Sequence, residues 1–121
     1  EITSAMLRDV LNIAPAEKLA LHCHDTHKRA LANIRAGLEM GIAVFDSSVA
    51  GIGGCPYAPG ASGNVVTEDL VFMLESMGFR TGVDIGKLLE SRKVLHAGLP
   101  AEPLNGQVAK AGLPPTFRKA A

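Results

Sequence analysis

Lys18-Leu19-Ala20-Leu21-His22-Cys23-His24-Asp25-Thr26 is the stretch whose reading decides the fold. A short apolar run bounded by polar residues predicts a buried β-strand over residues 18–23. In a strand, residues i and i+2 share a face. His22 and His24 therefore point the same way at the strand's C-terminal end, and Cys23 points to the opposite side.

Working outward, the spacing of Ile2, Met6, Val10 and Leu11 predicts a helix over residues 2–11, stopped by Pro15. Residues 30–40 place Leu31, Ile34 and Leu38 on one helical face, with Gly41 as the stop. Residues 42–46, β-branched and aromatic, predict a second buried strand. A long loop rich in glycine and proline covers residues 51–63, and long loops in compact domains are usually functional or disordered. Thr67 is expected to cap a helix whose face is Leu70, Val71, Leu74 and Met77, ended by Gly78. Asp84 is expected to cap another over residues 85–95, carrying Leu88, Leu89 and Leu95. From Ala97 onward Pro and Gly punctuate the chain, which predicts a loosely packed or fraying tail with weak helical character at residues 107–111.

Apolar strands alternating with amphipathic helices predict βαβ units and a parallel sheet. Two strands cannot cover themselves, so the chain is expected to be part of a larger α/β fold. A complete (β/α)8 barrel needs about 250 residues, and in such barrels the chemistry sits at the C-terminal ends of the strands. Residues 22–24 and 46–48 both fall there. The sequence opens inside a helix without an initiator Met, which predicts that the natural chain extends upstream.

The 121 residues are 47% hydrophobic, enough apolar material for one domain's core. Twelve basic and twelve acidic residues cancel. No basic stripe points to nucleic acid, and no apolar run approaches the roughly 20 residues that span a bilayer. Cys23 and Cys55 are expected to be free thiols in a reducing compartment.

Several side chains could carry chemistry. Two imidazoles on one face suit joint coordination of an ion, or simply a hydrogen-bonded pair. Cys55, between Gly54 and Pro56, reads as an accessible thiol whose pKa loop N–H groups would lower; the alternative is a buried cysteine. Asn64 offers a neutral oxygen to a hard cation, or is a turn residue. Asp25 either orients an imidazole or, with Thr26, caps the next helix. Glu68 and Asp69 suit the first turn of a helix on dipole grounds. His27, His96, Lys28 and Arg29 read as solvated, although Lys28 and Arg29 open a βα unit, a place for cofactor phosphates. The glycines match neither a dinucleotide nor a P-loop fingerprint.

From residue 1 to about residue 95 the chain resembles the C-terminal portion of the 3-hydroxy-3-methylglutaryl-CoA lyases. The likeness is carried by His22-Cys23-His24-Asp25-Thr26, by Ala30-Leu31-Ala32-Asn33, and by residues 45–74. The His-x-His element is shared with isopropylmalate synthases, homocitrate synthases and some aldolases. The run from Ser47 to Tyr57, continuing through Asn64 to Leu70, is more specific to the lyases.

The resemblance implies the C-terminal part of a (β/α)8 TIM barrel. Residues 1–95 would belong to a pyruvate-carboxyltransferase-like lyase domain, and residues 96–121 would form a C-terminal tail. It implies that His22, His24 and Asn64 bind Mg²⁺ or Mn²⁺ together with a carboxylate from the first barrel strand. Cys55 would be the catalytic thiol on a closing loop, and His22 would also take part in proton transfer. The reaction implied is cleavage of 3-hydroxy-3-methylglutaryl-CoA, a CoA thioester, to acetyl-CoA and acetoacetate. A homo-oligomer is implied for the full-length protein, in the mitochondrial matrix of a eukaryote or the cytoplasm of a bacterium.

The family usually continues His-Asp-Thr with an aromatic residue and a glycine, where this chain has His27 and Lys28. Two alternatives stand beside the lyase: a related metal-dependent acyl-CoA condensing enzyme or aldolase, and a truncated chain without catalysis.

Overall fold

The computed structural model describes residues 2–54, 60 and 62–121. The chain runs α1 (Ile2–Leu11), β1 (Ala20–His22), α2 (Ala30–Glu39), β2 (Val44–Asp46), α3 (Thr67–Ser76), α4 (Ile85–Gly98) and α5 (Gln107–Ala111). β1 and β2 pair in parallel through the α2 crossover, with Ala20 opposite Val44, Leu21 opposite Phe45 and His22 opposite Asp46. This is the expected βαβ unit, with strands shorter than their apolar runs. Residues Ala16–Lys18 form a 3₁₀ turn, so β1 starts only at Ala20.

The expectation of buried strands is corrected. Both strands alternate exposed, half-buried, exposed, with Leu21 and Phe45 as the covered residues. The physical reason is one-sided packing. Gly37 of α2 lies so close to β1 that a Cβ there would come within 2.4 Å of Leu21 Cδ1, whereas Val44 on the other face is 55% exposed.

A first core forms where α2, α3 and the segment before α3 meet: Ala30, Ile34, Val65 and Leu70, with Leu31, Leu38, Phe45 and Cys23 packed against them. The predicted faces of α2 and α3 are the ones used, except that Met77, just past the end of α3, is exposed. In α1 the predicted face is used in part: Val10 and Leu11 are half-buried beside the buried Leu7, while Ile2 and Met6 are exposed. Thr3 on the packed side donates to Asn33 Oδ1 at 3.0 Å, a polar contact that periodicity does not register. Asp84 caps α4 as expected, accepting from the Lys87 N–H. Thr67 does not cap α3. Val66 occupies that position, and the Thr67 hydroxyl instead pairs with the Ser47 hydroxyl at 2.8 Å.

The segment after residue 97 is not loose. The N–H groups of Gln107 and Val108 at the start of α5 donate to the Asp69 carboxylate at 2.9 and 2.8 Å. Val108 is buried with Val71 and Ile85 in a second core, which Phe72, Leu88 and Phe117 flank. Ala120 N–H donates to Glu75 at 2.7 Å. Pro and Gly predicted fraying because they break regular structure, but acceptors for this segment's N–H groups are supplied by α3.

Glu68 ties these parts together. Its side chain is fully buried, accepts the Ala50 N–H with both oxygens, and pairs with Arg92 of α4. The same Arg92 nitrogen donates to the Asn105 carbonyl at 2.7 Å. Ala50 sits in the 3₁₀ turn Val49–Gly51 at φ 58, a left-handed conformation that disfavours a Cβ. The Glu68 carboxylate is one of the contacts that hold it there.

Two outcomes follow from this packing. Glu68→Ala takes the carboxylate from a largely covered guanidinium and from the Ala50 amide, and should cost about 3–5 kcal/mol in chemical denaturation. Glu75 accepts from the Thr81 hydroxyl, the Thr81 N–H and the Ala120 N–H, which hold its carboxyl below the usual range despite partial desolvation. A carboxyl lowered by folding contributes stability above its unfolded value, about 4.3, and loses it as pH falls through the folded value. Tail protection in hydrogen exchange should therefore weaken below about pH 4 in the wild type, and Glu75→Gln should remove that acid dependence.

Candidate active site

The C-terminal ends of β1 and β2 lie side by side because the strands are parallel and in register. His22 and Asp46 are direct neighbours in the ladder, and His22 Nδ1 lies 2.6 Å from Asp46 Oδ1. A carboxylate accepts only, so Nδ1 carries a proton, and in the neutral ring the lone pair is on Nε2. The two imidazoles form an edge-to-face pair with centroids 5.1 Å apart. His24 Nδ1 lies 3.3 Å from the Ser62 carbonyl, which likewise only accepts, so its lone pair is also on Nε2. Cys23 faces the core on the opposite side, as expected. Burial, followed by the nearby Asp46 charge, pushes its thiol above the ordinary value.

Asn64 reaches this place by tertiary folding. After the glycine-rich loop the chain returns in extended form across both strand ends. Val65 N–H donates to the Cys23 carbonyl, Ser48 N–H to the Val65 carbonyl, and Asp25 N–H to the Gly63 carbonyl. Asn64 thereby becomes the bridge partner of His24. Its amide nitrogen donates to the Ile52 carbonyl at 3.0 Å, and its Oδ1 is buried with no hydrogen-bond partner among the described residues. A buried amide oxygen left unpaired costs free energy unless something fills it. Two Nε2 lone pairs and one orphaned amide oxygen form a donor set that fits a divalent cation. Among the described residues no group of three His, Cys, Asp or Glu side chains converges.

Cys55 lies outside the described residues. The limbs of its loop approach very closely: a Cβ at Gly63 would sit 1.9 Å from the Gly51 carbonyl oxygen. A cavity of about 350 Å³ opens beside them, lined in part by Asn64, Gly53, Lys28 and Asn105. Neither imidazole lines it.

Asp25 proves to be a backbone organiser. It accepts from the Ala30 N–H and from Lys28 Nζ, and neither bond goes to an imidazole. His27 and Lys28 both adopt φ 57. This left-handed conformation costs a residue with a Cβ about 1–2 kcal/mol. At Lys28, where the resembled family has glycine, the backbone keeps a shape glycine would adopt freely, and the Asp25 contacts hold it. Both side chains are exposed, as is His96.

Sequence reading missed Asp46 as the partner of His22. Equal placement at the ends of two parallel strands was the available signal. It also missed Glu68 as a buried clamp, for which no local pattern exists.

Gly63→Ala should force the loop limbs apart and cost about 1–3 kcal/mol in urea unfolding. Gly54→Ala, with no described atom within 4 Å of its Cβ position, should unfold like the wild type.

The HMGL-like family model matches residues 1–95. The chain is 53% identical over 110 residues to a mitochondrial hydroxymethylglutaryl-CoA lyase of Arabidopsis thaliana, covering 89% of this chain and 23% of that protein. It is 59% identical over 90 residues to the mitochondrial hydroxymethylglutaryl-CoA lyase of Homo sapiens, covering 74% of this chain and 28% of that protein. It superposes with a TM-score of 0.85 and 40% identity on an HMG-CoA lyase from Acinetobacter baumannii solved with coenzyme A and 3-methylmalate, covering 96% of this chain and 38% of that one. The chain thus spans about a quarter of the length of these curated relatives. Its architecture is the C-terminal part of the TIM-barrel fold, as expected. With its βαβ unit and strand-end histidines, the chain belongs to the HMGL-like family.

Proposed function

We propose that the whole protein of which this chain forms part cleaves 3-hydroxy-3-methylglutaryl-CoA to acetyl-CoA and acetoacetate. The observation that carries the reading is the orphaned Asn64 Oδ1 beside two imidazoles whose Nδ1 atoms are held by oxygens. It occurs in a chain more than half identical to proteins named hydroxymethylglutaryl-CoA lyase.

The residues that would hold a Mg²⁺ or Mn²⁺ ion are His24 and Asn64, with His22. A bound divalent ion supplies Lewis acidity, making a coordinated hydroxyl easier to deprotonate. His22 has one Nε2 lone pair, so it serves either as a ligand or as the acceptor of the C3 hydroxyl proton, one at a time. Loss of that proton turns C3 into the ketone of acetoacetate. The C2–C3 bond breaks, and its electron pair goes to C2 as the enolate of acetyl-CoA. Cys55 is the acid that returns a proton to C2. The glycine-rich sequence around it suits a thiol that approaches only after substrate binds.

The condensing-enzyme alternative lacks comparable support, because the Cys55 segment is the part whose likeness is specific to lyases. A homo-oligomer in the mitochondrial matrix of a eukaryote, or in the cytoplasm of a bacterium, completes the reading. No described helix is long and apolar enough to cross a membrane.

The test is acetoacetate release by the whole protein. Cys55→Ala should lower turnover by about 10²–10⁴-fold while leaving Mn²⁺ affinity unchanged. His24→Ala should weaken Mn²⁺ binding by at least about 10-fold. Near-normal turnover in Cys55→Ala would rule out the proton-donor role.

A further inference from the structure

We infer that Asp46 is a positioning residue that fixes the tautomer of His22 and thereby makes its Nε2 a competent ligand for a divalent cation. The inference rests on the metal-dependent reading of the site above. It concerns a carboxylate that neither the histidine spacing nor the likeness to the lyases singles out.

Three observations carry it. The register places His22 directly opposite Asp46, so the backbone sets the contact. The separation of 2.6 Å is that of a direct hydrogen bond to a charged acceptor, between side chains 57% and 66% exposed. The two histidines are also unequal. His24 Nδ1 meets a neutral carbonyl at 3.3 Å, whereas His22 Nδ1 meets a carboxylate. A free imidazole places its proton on either nitrogen, with Nε2–H preferred in water. That form has no Nε2 lone pair to give. A carboxylate on Nδ1 reverses the preference, and it also makes the opposite nitrogen a better donor to a cation. Of the two imidazoles, His22 alone has such a partner. Asp25, the carboxylate adjacent in sequence, is occupied by Lys28 and the Ala30 N–H.

The experiment is ¹⁵N NMR of the histidine rings in the metal-free protein, at a pH where imidazole is neutral, together with Mn²⁺ titration by electron paramagnetic resonance. Wild-type His22 should show the Nδ1–H tautomer. Asp46→Asn keeps the side chain's volume but can turn an N–H toward the ring, so His22 should move to Nε2–H. Its Mn²⁺ dissociation constant should rise about 10- to 100-fold. Asp46→Ala should do the same, and thermal melts identify a variant that has lost its fold. An Nε2–H tautomer in wild-type His22 overturns the proposal without any variant. Unchanged Mn²⁺ affinity in a folded Asp46→Asn protein overturns it as well. Neither readout needs substrate. If both come out as expected and the whole protein releases no acetoacetate, the lyase reading fails and this one stands. If the protein is an active lyase and Asp46→Asn binds Mn²⁺ normally, the reverse holds.

Discussion

The buried carboxylate of Glu68 is the contact on which the arrangement of the site most depends. It joins three segments distant in sequence: the turn after β2 through Ala50 N–H, α4 through Arg92, and the tail through the bond from Arg92 to Asn105. A charge removed from water is tolerated only when paired and hydrogen-bonded, so these partners have little freedom to leave. Asn105 adds a bond of its own, from its N–H to the Ala50 carbonyl. The turn that Glu68 holds leads directly to Ile52, whose carbonyl orients the Asn64 amide. A clamp that touches no candidate ligand therefore acts on the direction in which a candidate ligand oxygen points.

The chemistry stands on a second layer of restraint. His22 is held by Asp46, His24 by the Ser62 carbonyl and Asn64 by the Ile52 carbonyl. Each candidate donor is oriented by an oxygen, and two of the three oxygens come from the limbs of the glycine-rich loop. Close approach of those limbs demands glycine at Gly63, where a Cβ would overlap the Gly51 carbonyl. Loop composition and ligand geometry are thus consequences of one packing problem. The left-handed backbone at His27 and Lys28 is its cost on the β1 side, held by Asp25.

What could be read directly from residue order was local and periodic. The apolar run at residues 18–23 and the face of Leu31, Ile34 and Leu38 announced a βαβ unit. Alternation placed His22 and His24 on one side and Cys23 on the other. Asp84 announced its helix. Such features depend on backbone geometry that repeats every two or 3.6 residues, and neighbouring residues suffice to specify them. The same reasoning placed Ile2 and Met6 of α1 on a covered face, though both are exposed, and misjudged the tail, whose partners are carboxylates about 40 residues upstream.

The sequence by itself determined the class of fold, the paired histidines at a strand end and the family likeness. Only the tertiary structure decided that Asp46 rather than Asp25 meets His22, that Asn64 arrives beside His24 with its oxygen unpaired, and that Glu68 is a clamp. The physical reason is that hydrogen-bond partners are chosen by proximity in space. That proximity depends on strand register and chain return, which no short window of residues encodes.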